Sequence, residues 1–221
     1  MAQKNNYQAG FTLVEIAIVL LIIGVIIGGV LKGKDLIDSA KLKATIQQIN
    51  EFKMAVASFQ DRYHALPGDF AHASRDIGPD VPNGNGNGHI EGLGLDSEAE
   101  AVKFWQQLSA ADLISSPGSP REGAVGPGTG VPAAKIGGVV TVTYQDGAHW
   151  FVLGSVAGNT GDGPLLTSQQ AMNIDKTLDN GDPMSGNVRS ETGKDAPTTC
   201  VVDGKYNIQN HEKVCKLRIK F

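Results

Sequence analysis

The feature that most constrains this chain is an apolar run close to its start. Phe11 to Leu31 reads FTLVEIAIVLLIIGVIIGGVL, in which only Thr12 and Glu15 are polar. As a helix rising about 1.5 Å per residue, the run is roughly 30 Å long, the thickness of a bilayer's hydrocarbon core. It is longer than the apolar region of a secretory signal, about 7–15 residues, and no A-x-A cleavage pattern follows it. The run is therefore read as a segment that stays with the protein and spans a membrane.

Two details set it apart from a plain anchor. It begins abruptly after a short polar leader, MAQKNNYQAG, and it contains Glu15. A charged side chain at the bilayer centre costs about 2.5–3.5 kcal/mol on insertion scales, so an intramembrane acid is a functional candidate that needs a partner. Gly10-Phe11-Thr12-Leu13-Val14-Glu15-Ile16, followed by the apolar run, resembles the processing signal of type IV prepilins and type II secretion pseudopilins. The resemblance implies that residues 1–10 are a leader, that prepilin peptidase cuts after Gly10, and that the new terminal residue, Phe11, is N-methylated. It further implies a single pass through the inner membrane with the head outside the cytoplasm, then a periplasmic or cell-surface filament. The partners it implies are the peptidase, copies of the chain or other pilins, an inner-membrane assembly platform, and membrane lipid before assembly.

Elementary electrostatics suits that role. Cutting before Phe11 creates an amine that stays cationic after methylation. In low dielectric unlike charges attract strongly, and an unpaired one is costly. Glu15 of one subunit meeting the Phe11 amine of the next would set the axial register of packed helices, as one buried polar residue sets that of a coiled coil. Two features depart from the family pattern. Lys4 is the leader's only basic residue, whereas Lys32, Lys34, Lys41 and Lys43 follow the span. The positive-inside rule alone leans to the opposite topology; the processing motif is taken to outweigh that count. The helix also lacks the proline many pilins carry. Gly24, Gly28, Gly29 and Gly33 stand as weak points, at about 1 kcal/mol each relative to alanine; alternatively, they let helices pack closely in lipid.

Residues 11–33 thus read as the membrane and assembly helix, and 34–66 as its amphipathic continuation. Leu42, Ile46, Ile49, Phe52, Val56, Phe59 and Tyr63 recur at three- and four-residue spacing, one face of a helix, and Leu66-Pro67-Gly68 is the expected stop. Residues 67–221 read as a globular extracytoplasmic head. Asp69 to Asp96, with its PNGNGNGHIEG centre, is a loop. Ser97 to Ile114 reads as a helix with Ser97 as N-cap. Gly138 to Tyr144 and His149 to Leu153 flank Gln145-Asp146-Gly147, a hairpin signature. Thr167 to Leu178 reads as a short helix with Thr167 and Gln170 in capping-box spacing. Strands around Val188, Val201 and Lys216 to Phe221 are expected to extend the sheet. The class is α+β: a long N-terminal helix packed on an antiparallel β-sheet head, as in pilins. Export, which the resemblance implies, makes Cys200 and Cys215 an expected disulfide.

Little in the head points to chemistry. The five histidines form no H-E-x-x-H, and there is neither a P-loop nor a G-x-S-x-G elbow. Two Asn/Asp-rich spots could offer calcium hard oxygen ligands: Asn83, Asn85 and Asn87, or Asp175, Asp179, Asn180 and Asp182. The first imitates an EF-hand loop but has Gly94 at the twelfth position; no other cofactor is expected. A net charge of −4 and the lack of a basic block argue against nucleic acid as main partner. The leading reading is a structural, non-enzymatic filament subunit. The second is a minor or tip subunit whose head binds a surface, ligand or secreted protein.

Overall fold

In the computed structural model, residues 12–118 and 124–221 are described. Contacts divide the chain into two compact units, Met1–Lys41 and Leu42–Phe221. The first helix, α1 (Leu13–Tyr63), begins in one unit and ends in the other. It stops at Tyr63 because His64 takes a left-handed φ of 52°, ahead of the Pro67 stop expected from sequence.

In the second unit α1 is followed by α2 (Ala73–Asp76), α3 (Glu100–Ala110), β1 (Gly126–Pro127), β2 (Gly130–Val131), β3 (Val139–Gln145), β4 (Ala148–Ala157) and β5 (Thr160–Gly163). Then come α4 (Ser168–Leu178), β6 (Val188–Thr192), β7 (Val201–Val202), β8 (Lys205–Tyr206) and β9 (Cys215–Lys220). The main sheet runs β3-β4-β9-β6, with β5 paired to β4. Its pairings are antiparallel throughout, so this unit is α+β. The β3–β4 hairpin turns on Asp146 and Gly147, both at positive φ, with Gln145 opposite Ala148. That is the two-residue turn whose twist matches the strands.

Alternation along the strands separates two faces. Val140, Val142, Phe151, Leu153, Leu217, Ile219 and Val188 are buried on the inner one. Against them pack the apolar stripe of α1, from Ile49 to Phe59, and α3. Phe52 meets Trp105 edge-on at 4.9 Å between centroids, and Phe151 lies 6.1 Å from Phe52. Two polar residues of α1 hold the chain ahead of β3. Gln48 donates to the Ala133 carbonyl and accepts from Lys135 N, and Thr45 Oγ1 accepts from Ile136 N. The outer face is built around Trp150, which is 2% exposed. The Arg189 and Arg218 guanidiniums each stand 5.2 Å from its ring. Both pair with Asp146 of the turn, and Arg218 also pairs with Glu191.

Three expectations need correcting. The third helix begins at Glu100, not Ser97, and its N-cap, Ala99, makes no side-chain bond. Ser97 lies in a turn closed by Ala99 N donating to Asp96 O, and Asp96 Oδ1 accepts from Glu98 N. The helix ends at Ala110 rather than Ile114, because Asp112 takes φ 58°. Val201 does not extend the main sheet: β7 pairs with β8 in a separate ribbon. That ribbon lies within the loop that the Cys200–Cys215 disulfide closes. In contrast, α4 forms as its spacing predicts. Thr167 Oγ1 accepts from Gln170 N while Gln170 Oε1 accepts from Thr167 N.

Candidate functional site

The first unit, from Thr12 onward, presents a helix with no apolar core of its own. Leu13 is 86% exposed, Leu21 68% and Val25 70%, and the other large apolar side chains as far as Leu31 are exposed as well. The helix is long and apolar enough to cross a membrane by length and composition. A helix apolar on every side belongs inside lipid or among other apolar helices, and a bare surface of this size in water marks a place of association.

Within that surface Glu15 closes the helix start. Its Oε2 accepts from Thr12 N at 2.8 Å and from Thr12 Oγ1 at 2.9 Å, while Thr12 Oγ1 accepts from Glu15 N at 3.3 Å. Thr12 and Glu15 thus act as N-cap and N3 of a capping box, and the carboxylate sits where the helix dipole favours an anion. Sequence reasoning singled out Glu15 but missed Thr12, although T-x-x-E was legible. The expected cleavage and methylation positions, Gly10 and Phe11, lie outside the described residues.

Of the other expected site residues, Cys200 and Cys215 are joined. Asn83, Asn85 and Asn87 share one loop, but their carboxamide oxygens accept from Ser74 N, Asn87 N and His89 N. The loop is organised instead by two buried carboxylates that sequence gave no sign of. Asp69 accepts from Asn87 N and Gly88 N, and Glu100 from Asn85 N and Glu91 N. Asp175, Asp179, Asn180 and Asp182 surround the turn after α4. Asp175 accepts from Tyr206 Oη and Gly181 N, Asp179 from Asn187 N, Asn180 from Asp182 N, and Asp182 from Met184 N. Burial raises the Asp175 carboxyl, its two hydrogen bonds opposing, and burial with the Asp175 bond raises the Tyr206 phenol. In both spots each candidate side chain accepts from at least one donor of the fold. No three His, Cys, Asp or Glu side chains gather as a metal group among the described residues.

Residues 5–31 match the family model described as the prokaryotic N-terminal methylation motif. The chain therefore carries that motif, and Thr12, Glu15 and the apolar helix lie inside it. The chain also aligns with the major type IV pilin PilA1 from Clostridium difficile, at 14% identity and a TM-score of 0.40, over 83% of this chain and 96% of that one. No curated protein matches the sequence.

Proposed function

We propose that this chain is a structural subunit of a type IV pilus-like filament. Prepilin peptidase would cut it after Gly10 and N-methylate Phe11, and it would polymerise through the first part of α1. The observation that carries the reading is Glu15, the one acid between Phe11 and Leu31, on an exposed apolar helix headed by a methylation motif. Before assembly the helix would rest in lipid with the head outside the cytoplasm. There the carboxylate keeps a local partner in Thr12, which lowers the cost of holding it in low dielectric. On assembly at a membrane platform, the Phe11 amine of a neighbouring copy is a stronger, charged partner, and the apolar faces exchange lipid for one another. Export of the head is consistent with the Cys200–Cys215 disulfide.

Mass spectrometry of the protein from assembled material tests the processing step. The expected N-terminus is N-methylated Phe11, and an intact Met1 would overturn it. Glu15→Val tests the assembly step. The variant should insert into the membrane at the wild-type level yet yield no filaments on shearing. Normal filaments from it would remove the pairing argument.

A further inference from the structure

The chain contains four Asn-Gly dipeptides, at 83–84, 85–86, 87–88 and 180–181. This dipeptide is the most prone to deamidation, because glycine leaves its backbone nitrogen unshielded. In that reaction the glycine nitrogen attacks Asn Cγ. A new C–N bond closes a succinimide, the carboxamide C–N bond breaks, and nitrogen leaves as ammonia, taking up the proton the glycine nitrogen gives up. Water then opens the ring at either carbonyl, to aspartate or isoaspartate. One water is consumed and one ammonia released, with no redox change.

All four glycine nitrogens are engaged inside the fold. Gly84 N donates to Phe70 O and Gly86 N to Asp69 O, both at 2.9 Å. Gly88 N donates to Asp69 Oδ2 at 2.8 Å, and Gly181 N to Asp175 Oδ1 at 3.1 Å. Asp69 is 5% exposed and Asp175 fully buried. An amide bound to a buried acceptor must give up that bond before it attacks, and carboxylates are the strongest such acceptors. The leaving groups are held too. Asn87 Nδ2 donates to Glu91 and Asn180 Nδ2 to Ser185 Oγ.

Geometry restricts what can stand at two of these glycines. A Cβ on Gly84 would stand 2.3 Å from Gly68 O, and Gly88 sits at φ +86°, where a side chain is strained. A side chain in place of glycine would therefore clash at position 84 and be strained at position 88. Reaction at Asn87 or Asn180 would add a carboxylate where Asp69, Glu91 and Glu100, or Asp175, Asp179 and Asp182, already stand, and isoaspartate would lengthen the loop backbone.

We propose that Asn87 and Asn180 are latent deamidation sites held shut by the Asp69 and Asp175 carboxylates, so that opening either loop converts it irreversibly. The test incubates the full-length chain in detergent micelles at mildly alkaline pH and quantifies aspartate plus isoaspartate at each asparagine by peptide mass spectrometry. Folded wild type should react slowly at all four positions, and the urea-unfolded chain fast at all four. Asp69→Asn should accelerate Asn87 about tenfold, the factor carried by one charge-assisted hydrogen bond, and leave Asn180 at its wild-type rate. Asp175→Asn should do the reverse. Folded wild type reacting at Asn87 or Asn180 as fast as the urea-unfolded chain would overturn the proposal, as would a variant that leaves its own asparagine unchanged. If a variant accelerates all four alike, it has unfolded. Amide hydrogen exchange at Gly88 and Gly181 of folded wild type then decides: protection supports the proposal and free exchange overturns it.

Discussion

At the scale of single residues, several polar groups of this protein organise backbone. Glu15 caps its own helix, Asp69 and Glu100 each take two loop amides, and Asp175 joins the turn after α4 to Tyr206. His149 is different. It lies beside Tyr144, whose other ring neighbour is His89, and against Phe221, with its Nε2 buried and unpartnered. Burial and then His89 push its pKa below the ordinary value, with Asp69 pulling back. A folded-state value below the unfolded one of about 6.5 means the unfolded chain binds the proton first as pH falls. The stability His149 contributes is therefore complete above that pH and is lost as pH falls towards the lower folded value. Urea midpoints measured near pH 7.5 and near pH 5.5 should fall more for wild type than for His149→Phe. Equal losses would show that this imidazole is not what the acid acts on.

At the scale of elements, the best-specified helix of the head is α4. Both arms of its capping box are made, and Ala171, Ile174 and Asp175 are buried. Thr167→Ala removes the acceptor for Gln170 N and should lower head stability by about 1 kcal/mol, read as a shift in urea midpoint at unchanged slope. α4, the β3–β4 hairpin and the amphipathic stripe of α1 were legible because each is written locally: a capping pair, a positive-φ turn between alternating strands, a three-four repeat. The start of α3 was not. Ser97 has the right chemistry for a cap, but Asp96 forms the preceding turn and Glu100 is drawn off to the 83–91 loop, a choice that depends on residues distant in sequence. The same applies to β7, which carries strand-forming residues yet pairs only within its own ribbon.

At the scale of the whole molecule, the Cys200–Cys215 bridge spans fifteen positions, and β9 starts at its second cysteine. The bridge ties the β7–β8 ribbon to the strand lying between β4 and β6. Closing a loop of this length is worth about 3 kcal/mol in the chain-entropy model, so reductant should lower the head's unfolding free energy by about that amount. An unchanged urea transition after verified reduction would mean that packing around Val214 and Leu217 alone holds the segment.

The amino-acid order alone determined the apolar N-terminal helix, the isolated acid within it and the motif that frames both. Each is a matter of hydropathy and spacing along a few turns, which no distant residue can alter. Only tertiary structure decided that the last strand lies inside the sheet, that Trp150 is buried beside two arginines on the outer face, and that Asp69 and Asp175 clasp the asparagine loops. These depend on which segments meet after long loops close. That outcome is set by shared burial and by satisfying every enclosed amide, not by any local pattern.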